Sequence, residues 1–168
     1  MQKDTIAIHA GYDKKNGNGE MAIPISQTTA YAFRDSEHAA NLFALKELGP
    51  IYTRLNNPTN DILEQRYAQL ENGAAALVTA SGASAIFYSI ANIAEAGDNI
   101  LISDKLYGGS VTLFHFTLKR FGISVKTFKS DDASDLESLV DDKTKGIFFE
   151  SLSNPQIAIP AIEKIVEV

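Results

Sequence analysis

The sequence predicts an α/β fold in which an N-terminal arm precedes a mostly parallel sheet with flanking helices. From residue 74 onward, short apolar runs alternate with stretches of helical length, the pattern of βαβ units around a parallel sheet. Polar caps and glycine stops punctuate those stretches, as helix boundaries require. The 168 residues are 45% hydrophobic and 21% charged, the balance of a globular domain with a sizeable core.

The elements follow in order. Residues 1–30, from Met1 onward, have no clear period and are broken by Gly11, Gly17 and Gly19 before Pro24, so an extended arm is expected. Asp35-Ser36 caps a helix running to about Leu48, where Gly49-Pro50 stops it. Asn57-Pro58 opens a second helix, with Ile62, Leu63, Arg66, Tyr67 and Leu70 at helical spacing and Gly73 closing it. An apolar strand over 74–79 then leads into a helix through Glu95. Strands are expected at 99–103, 123–128 and 145–150, and helices at 109–120, 133–140 and 161–168. The division expected is an arm and first helix over 1–57, then the front of an α/β domain over 58–168.

A net charge of −6, a pI near 5.0 and no Lys/Arg cluster argue against nucleic acid or an anionic membrane as partner. The absence of cysteine removes disulfides, thiolate metal sites and a cysteine nucleophile. His9, His38 and His115 show no metal-ligand spacing, so no metal is expected. No signal-peptide core or apolar stretch of about 20 residues occurs, which points to a soluble, cytoplasmic chain.

Four segments bear on chemistry. Thr79-Ala80-Ser81-Gly82-Ala83-Ser84-Ala85 joins a strand to a helix with small residues, and a helix N-terminus accepts phosphate through free N–H groups. A tight connection capped by Ser81 is the plainer account. Tyr52-Thr53-Arg54 offers a hydroxyl and a guanidinium fork suited to phosphate oxygens, or else a surface ion pair beside a half-buried ring. Ser103-Asp104-Lys105-Leu106-Tyr107-Gly108-Gly109 sets an aromatic beside glycines at a strand end, fit to stack on a flat ring; Lys105 reads as a solvated lysine. Phe148-Phe149-Glu150-Ser151-Leu152-Ser153-Asn154-Pro155 brings Asn154 to another strand end. Singly, each is explained by ordinary turns. Jointly they are not, because three of the four fall at successive strand carboxyl ends, where open sheets bind ligands. A ligand with a phosphate and an aromatic ring is expected. Asp131-Asp132 and Asp141-Asp142 read as solvated caps, and no nucleotide-binding glycine fingerprint is present.

These segments, in this order and together with Thr5-Ile6-Ala7-Ile8-His9-Ala10-Gly11, resemble the Cys/Met-metabolism family of pyridoxal-phosphate enzymes across nearly the whole chain. The resemblance implies a fold-type I transferase-like architecture and pyridoxal 5'-phosphate as cofactor. It implies that Ser81, Gly82 and Ala83 cradle the cofactor phosphate, with Ala83 standing where family members commonly have Met. Tyr107 would stack on the pyridine ring as the catalytic-site aromatic, and Asn154 would lie near the cofactor hydroxyl and substrate carboxylate. Glu150 shares that motif without an assigned role. Tyr52 and Arg54 would reach a neighbouring subunit's phosphate in a dimer or tetramer.

Residues 42–54 look most like the O-acetylhomoserine sulfhydrylase branch. That implies an amino-acid substrate, with acetoxy exchanged for sulfide to give homocysteine. Cystathionine γ-synthase, cystathionine γ-lyase and methionine γ-lyase relatives are the alternatives, as is a non-catalytic cofactor-binding or oligomerisation module. The family's Schiff-base lysine and the aspartate paired with the pyridine nitrogen match no position here. The expectation is therefore a front fragment, inactive by itself, whose unfinished sheet leaves an open edge.

Overall fold

The computed structural model describes residues 2–16 and 19–168. Met1 and Gly17, the latter one of the expected breaks, lie outside the described residues. The chain forms two compact units, Met1–Val78 and Thr79–Val168.

The first unit holds α1 (Lys3–His9), a short 3₁₀ turn (Lys14–Asn16), α2 (Ser36–Phe43) and α3 (Pro58–Leu70). The structure corrects the expectation of a wholly extended arm, because residues 3–9 are helical. A seven-residue helix is too short to show a period in sequence and is unstable alone; here it packs against α3. The Arg66 Nε donates to the Ala10 carbonyl at 2.9 Å. Gly11 then turns with φ +80, where a Cβ would stand 2.4 Å from the Ile62 carbonyl oxygen. Only glycine tolerates both that φ and that approach.

Asp35 caps α2 by accepting from the His38 N–H. The helix ends at Phe43, not near Leu48 as expected, because Leu45 takes φ 55 and the amides of Lys46 and Glu47 both fold back onto the Asn41 carbonyl. That reversal carries the Glu47 carboxylate to 2.8 Å from the Arg34 guanidinium. By contrast α3 starts where its Asn57-Pro58 signal places it, with the Asn57 side chain accepting from Thr59 N–H.

The second unit contains α4 (Gly82–Ile93), β1 (Asn99–Ser103), α5 (Gly108–Thr112), β2 (Ser124–Phe128), α6 (Leu136–Leu139), β3 (Thr144–Phe148) and α7 (Ile162–Glu167). The helical path of α5 continues through a π turn (Leu113–Thr117) and a 3₁₀ turn (Leu118–Phe121) to Gly122, at φ 78. The sheet is parallel, ordered β2-β1-β3. The run at 74–79, expected to be a strand, pairs with none: Val78 N–H instead donates to the Glu64 carboxylate at 2.9 Å. Of the expected helix over 133–140, only the turn Leu136–Leu139 forms, after Ala133 at φ 52.

All five residues of β1 are buried, as expected for a strand covered on both faces. Alternation then sorts its side chains. Ile100 and Ile102 face Ile90 of α4 and Phe114 and Leu118 of the helix continuing from α5. Leu101 faces Phe128, Leu136 and Ile165 in a second cluster with α6 and α7. Phe114 also stacks on Phe148 of β3, with ring centroids 4.8 Å apart.

At the amino ends of the strands, Asp141 ties the sheet together. Its carboxylate accepts from Asn99 at 2.8 Å, from Lys126 at 2.6 Å and from Lys143 N–H at 2.9 Å. Those hydrogen bonds, Lys126 first, hold the Asp141 carboxyl well below the usual carboxylate range. Burial pushes Asp104 up, but hydrogen bonds from the Ser130 amide and hydroxyl, with Lys105 nearby, outweigh it and leave that carboxyl lowered. No helix among the described residues is long and apolar enough to cross a membrane.

Two outcomes follow for denaturant unfolding. Phe114→Ala, at a fully buried ring, is expected to destabilise by about 3–5 kcal/mol. Phe116→Ala, at a ring 65% exposed, should change stability by less than about 0.5 kcal/mol. For pH, both lowered carboxyls titrate below their ordinary value of 3.8, so the unfolded chain takes up their protons first. Their stabilisation is complete above that value and is lost as pH falls through the lower folded-state values. Unfolding free energies measured from neutral to acid pH should therefore fall less steeply in Asp141→Asn.

Candidate cofactor site at the strand carboxyl ends

The second unit brings together groups that follow β1 and β3. Ser103 ends β1, and its hydroxyl accepts from Lys105 N–H at 3.0 Å, turning the chain at once toward Tyr107 and α5. The Tyr107 side chain is 56% exposed. Its ring lies over Gly109, where a Cβ would stand 2.6 Å from the tyrosine Cε1, whereas a Cβ at Gly108 would meet nothing within 4 Å. The Tyr-Gly-Gly sequence thus seats the ring at one glycine and leaves space at the other.

Past β3, Glu150 is half-buried and turned toward that same corner. One of its carboxylate oxygens accepts from Tyr107 N–H at 3.1 Å and from the Ser110 hydroxyl at 3.3 Å. The other accepts from Asn154 N–H at 3.4 Å. Asn154, exposed, precedes Pro155 through a cis peptide bond. Buried Ser153 closes the loop: its N–H donates to the Ala158 carbonyl at 3.0 Å, and its hydroxyl accepts from Ala158 N–H at 3.0 Å. Tyr107 and Asn154, 47 positions apart by number, therefore meet through one acidic side chain. Sequence reasoning left Glu150 without a role, since only the adjacency of β1 and β3 brings it under Tyr107.

Ser81, Gly82 and Ala83 open α4. The Ser81 hydroxyl accepts from Ser84 N–H at 3.1 Å and so caps the helix. Among the described residues, none accepts from the N–H of Gly82 or Ala83, and a Cβ at Gly82 would meet nothing within 4 Å. Free donors, the positive end of a 12-residue helix and open space suit an anion. Since 74–79 is not a strand, two of the expected segments, not three, lie at strand carboxyl ends. The small-residue turn still opens a helix, which is what anion binding requires.

Tyr52 and Arg54 belong to the first unit. Tyr52 bridges antiparallel to Ala30, and the Arg54 guanidinium lies 4.9 Å from the Tyr52 ring centroid, a cation–π arrangement. Both side chains are exposed, and among the described residues Arg54 forms no ion pair. Buried Asn57 sets this turn. Its amide nitrogen donates to the Ser26 carbonyl at 2.9 Å, and to the Tyr31 hydroxyl and the Thr53 hydroxyl at 3.2 Å each. Thr53 itself bonds the Thr28 carbonyl through its hydroxyl and the Thr29 carbonyl through its N–H. A sequence scan sees Asn57 only as a helix cap; its second task depends on three segments folding onto it.

A cavity of about 690 Å³ in the first unit, lined by His9, Tyr12, Asp13, Asp61 and Gln65 among others, includes none of the residues expected to bind cofactor. Burial, then Glu64, pushes the Asp61 carboxyl up. Among the described residues, no group of three or more His, Cys, Asp or Glu side chains is placed to hold a metal ion.

Asn57→Ala is expected to destabilise by about 1–3 kcal/mol, since it strands partly buried acceptors and removes a cap. Thermal or denaturant unfolding checks it, with loss of the Thr53 amide's exchange protection as the local sign.

Comparison with known proteins gives the family of the chain. Residues 4–168 match the family described as Cys/Met metabolism PLP-dependent enzyme. The chain is 46% identical to a homocysteine synthase of Schizosaccharomyces pombe over 165 residues, covering 98% of this chain and 38% of that protein. It is also 46% identical to O-acetyl-L-homoserine sulfhydrylase 1 of Thermus thermophilus over 168 residues, covering 99% of this chain and 40% of that one. The chain thus spans about two fifths of the length of these relatives. A crystal structure described as an O-acetylhomoserine (thiol)-lyase of Campylobacter jejuni, carrying N'-pyridoxyl-lysine-5'-monophosphate, superposes with a TM-score of 0.92 at 50% identity, over 99% of this chain and 41% of that one. A cystathionine γ-lyase of Lactobacillus plantarum, complexed with L-serine, gives 0.86 at 28% identity, over 99% and 41%. The chain belongs to the Cys/Met metabolism PLP-dependent enzyme family.

Proposed function

From that membership we propose that this chain carries the cofactor-facing front part of an O-acetylhomoserine sulfhydrylase, which converts O-acetylhomoserine and sulfide to homocysteine and acetate. The observation that carries the reading is the start of α4, where among the described residues the Gly82 and Ala83 N–H groups have no acceptor and Gly82 borders open space. Ser81, Gly82 and Ala83 would hold the phosphate of pyridoxal 5'-phosphate, Tyr107 would lie against its ring, and Asn154 would stand at its hydroxyl edge. When bound, the cofactor supplies an electron sink for substrate carbanions.

The chain's own part is binding and orientation. The α4 N-terminus neutralises phosphate charge, and the exposed Tyr107 ring gives a flat apolar surface beside Gly108. Tyr52 and Arg54, a hydroxyl and a guanidinium that no carboxylate neutralises among the described residues, would serve the phosphate of a neighbouring subunit in a homo-oligomer. Cytoplasmic location and the division into 1–57 and 58–168 belong to the same proposal. Identities of 46% and 50% to the synthase, the sulfhydrylase and the thiol-lyase, against 28% to the γ-lyase structure, favour sulfhydrylation over the lyase alternatives.

The protein as expressed from its gene, supplied with pyridoxal phosphate, O-acetylhomoserine and sulfide, should release homocysteine and acetate in equal amounts. Arg54→Ala should weaken cofactor binding about tenfold or more, the scale of a lost charged hydrogen bond. A loaded protein that cleaves cystathionine or methionine but makes no homocysteine from these substrates would move the assignment to the lyases.

A further inference from the structure

Tyr107 and Asn154 stand on different loops, and neither side chain makes a hydrogen bond to the other loop among the described residues. What joins the loops is Glu150. Its first carboxylate oxygen takes Tyr107 N–H at 3.1 Å and the Ser110 hydroxyl at 3.3 Å, and its second takes Asn154 N–H at 3.4 Å. Among the described residues no Lys, Arg or His pairs with this half-buried carboxylate. Its carboxylate is therefore met by neutral donors alone. The carboxylate also stands at the start of α5, where the N–H of its N-cap residue Tyr107 points toward it.

A carboxylate that only capped a helix would need one contact, to Tyr107 or Ser110. The contact to Asn154 has no capping purpose, since it acts on the loop after β3. We propose that Glu150 is a positioning residue: by holding the backbones of Tyr107 and Asn154 with its two oxygens, it fixes the ring-stacking and hydroxyl-edge groups of the cofactor site relative to each other. The inference rests on the cofactor reading above. Gly109 completes the arrangement, because Glu150 sets the Tyr107 backbone while the missing Cβ of Gly109 lets the ring lie down over it.

The chemistry separates the two oxygens. In Glu150→Gln one oxygen remains to accept from Tyr107 and Ser110, but the amide NH₂ replaces the acceptor for Asn154. In Glu150→Ala both contacts go. The test is residue-resolved amide hydrogen exchange on the protein as expressed, alongside pyridoxal-phosphate titration read by visible circular dichroism. Glu150→Ala should speed exchange at both Tyr107 and Asn154 about tenfold or more, and Glu150→Gln at Asn154 alone. Both variants should bind cofactor more weakly than the parent and show a smaller visible band, with Glu150→Asp recovering part of each. Unchanged exchange at Tyr107 and Asn154, or altered exchange with cofactor affinity and band unchanged, would overturn the positioning role. If Glu150→Ala does not fold, the Gln and Asp variants carry the comparison. A parent protein that binds no pyridoxal phosphate refutes the cofactor reading itself, and with it the positioning of a cofactor; the failure then lies in the parent and not in the variants.

Discussion

Burial of β1 on both faces and along both edges is the constraint on which the second unit depends. Ile100, Leu101 and Ile102 are at most 1% exposed, and β1 is paired with β2 on one side and β3 on the other. A strand so enclosed has no solvent face, so a slip of one residue would exchange two apolar surfaces that fit different neighbours. Ile100 and Ile102 fit the helices on one side, and Leu101 fits α6 and α7 on the other. The loops that leave the sheet inherit their positions from this packing.

Two acidic side chains finish what burial begins, at opposite ends of the strands. Asp141 gathers donors from Asn99, Lys126 and Lys143 at the amino ends. Glu150 gathers them from Tyr107, Ser110 and Asn154 at the carboxyl ends. The first neutralises a lysine and belongs to stability. Among the described residues the second has only neutral partners, from the turn after β1, from α5 and from the loop after β3, at the end of the sheet where folds of this type bind ligands. That difference in partners supports the positioning role proposed for Glu150.

Legibility was uneven for physical reasons. The Asn57-Pro58 and Ser81-Gly82 helix starts and the apolar run at 99–103 could be read because each signal is local: a cap, a proline at the first turn, a run of branched residues. Helix α1 was missed because its seven residues are held by α3, whose Arg66 bonds the Ala10 carbonyl just past their end, and a window over residues 3–9 contains nothing of α3. The 74–79 run was misread as a strand because apolarity does not say whether a partner strand is there to pair with; its Leu77 is 76% exposed. The early stop of α2 turns on Leu45 at φ 55, a conformation that leucine does not advertise.

At the site the same division holds. Residue types and order by themselves determined the α/β class, the small-residue helix start at Ser81, Gly82 and Ala83, and Tyr107 and Asn154 as candidates at strand ends, whose place beside a cofactor came from the family resemblance. These depend on backbone donors, caps and short-range turns that any reader of the chain can count. Tertiary structure alone decided that Glu150 joins Tyr107 to Asn154 and that Asn57 holds the turn bearing Tyr52 and Arg54. Those contacts join residues far apart in number, and sequence spacing carries no information about which strands and loops become neighbours until the sheet is packed.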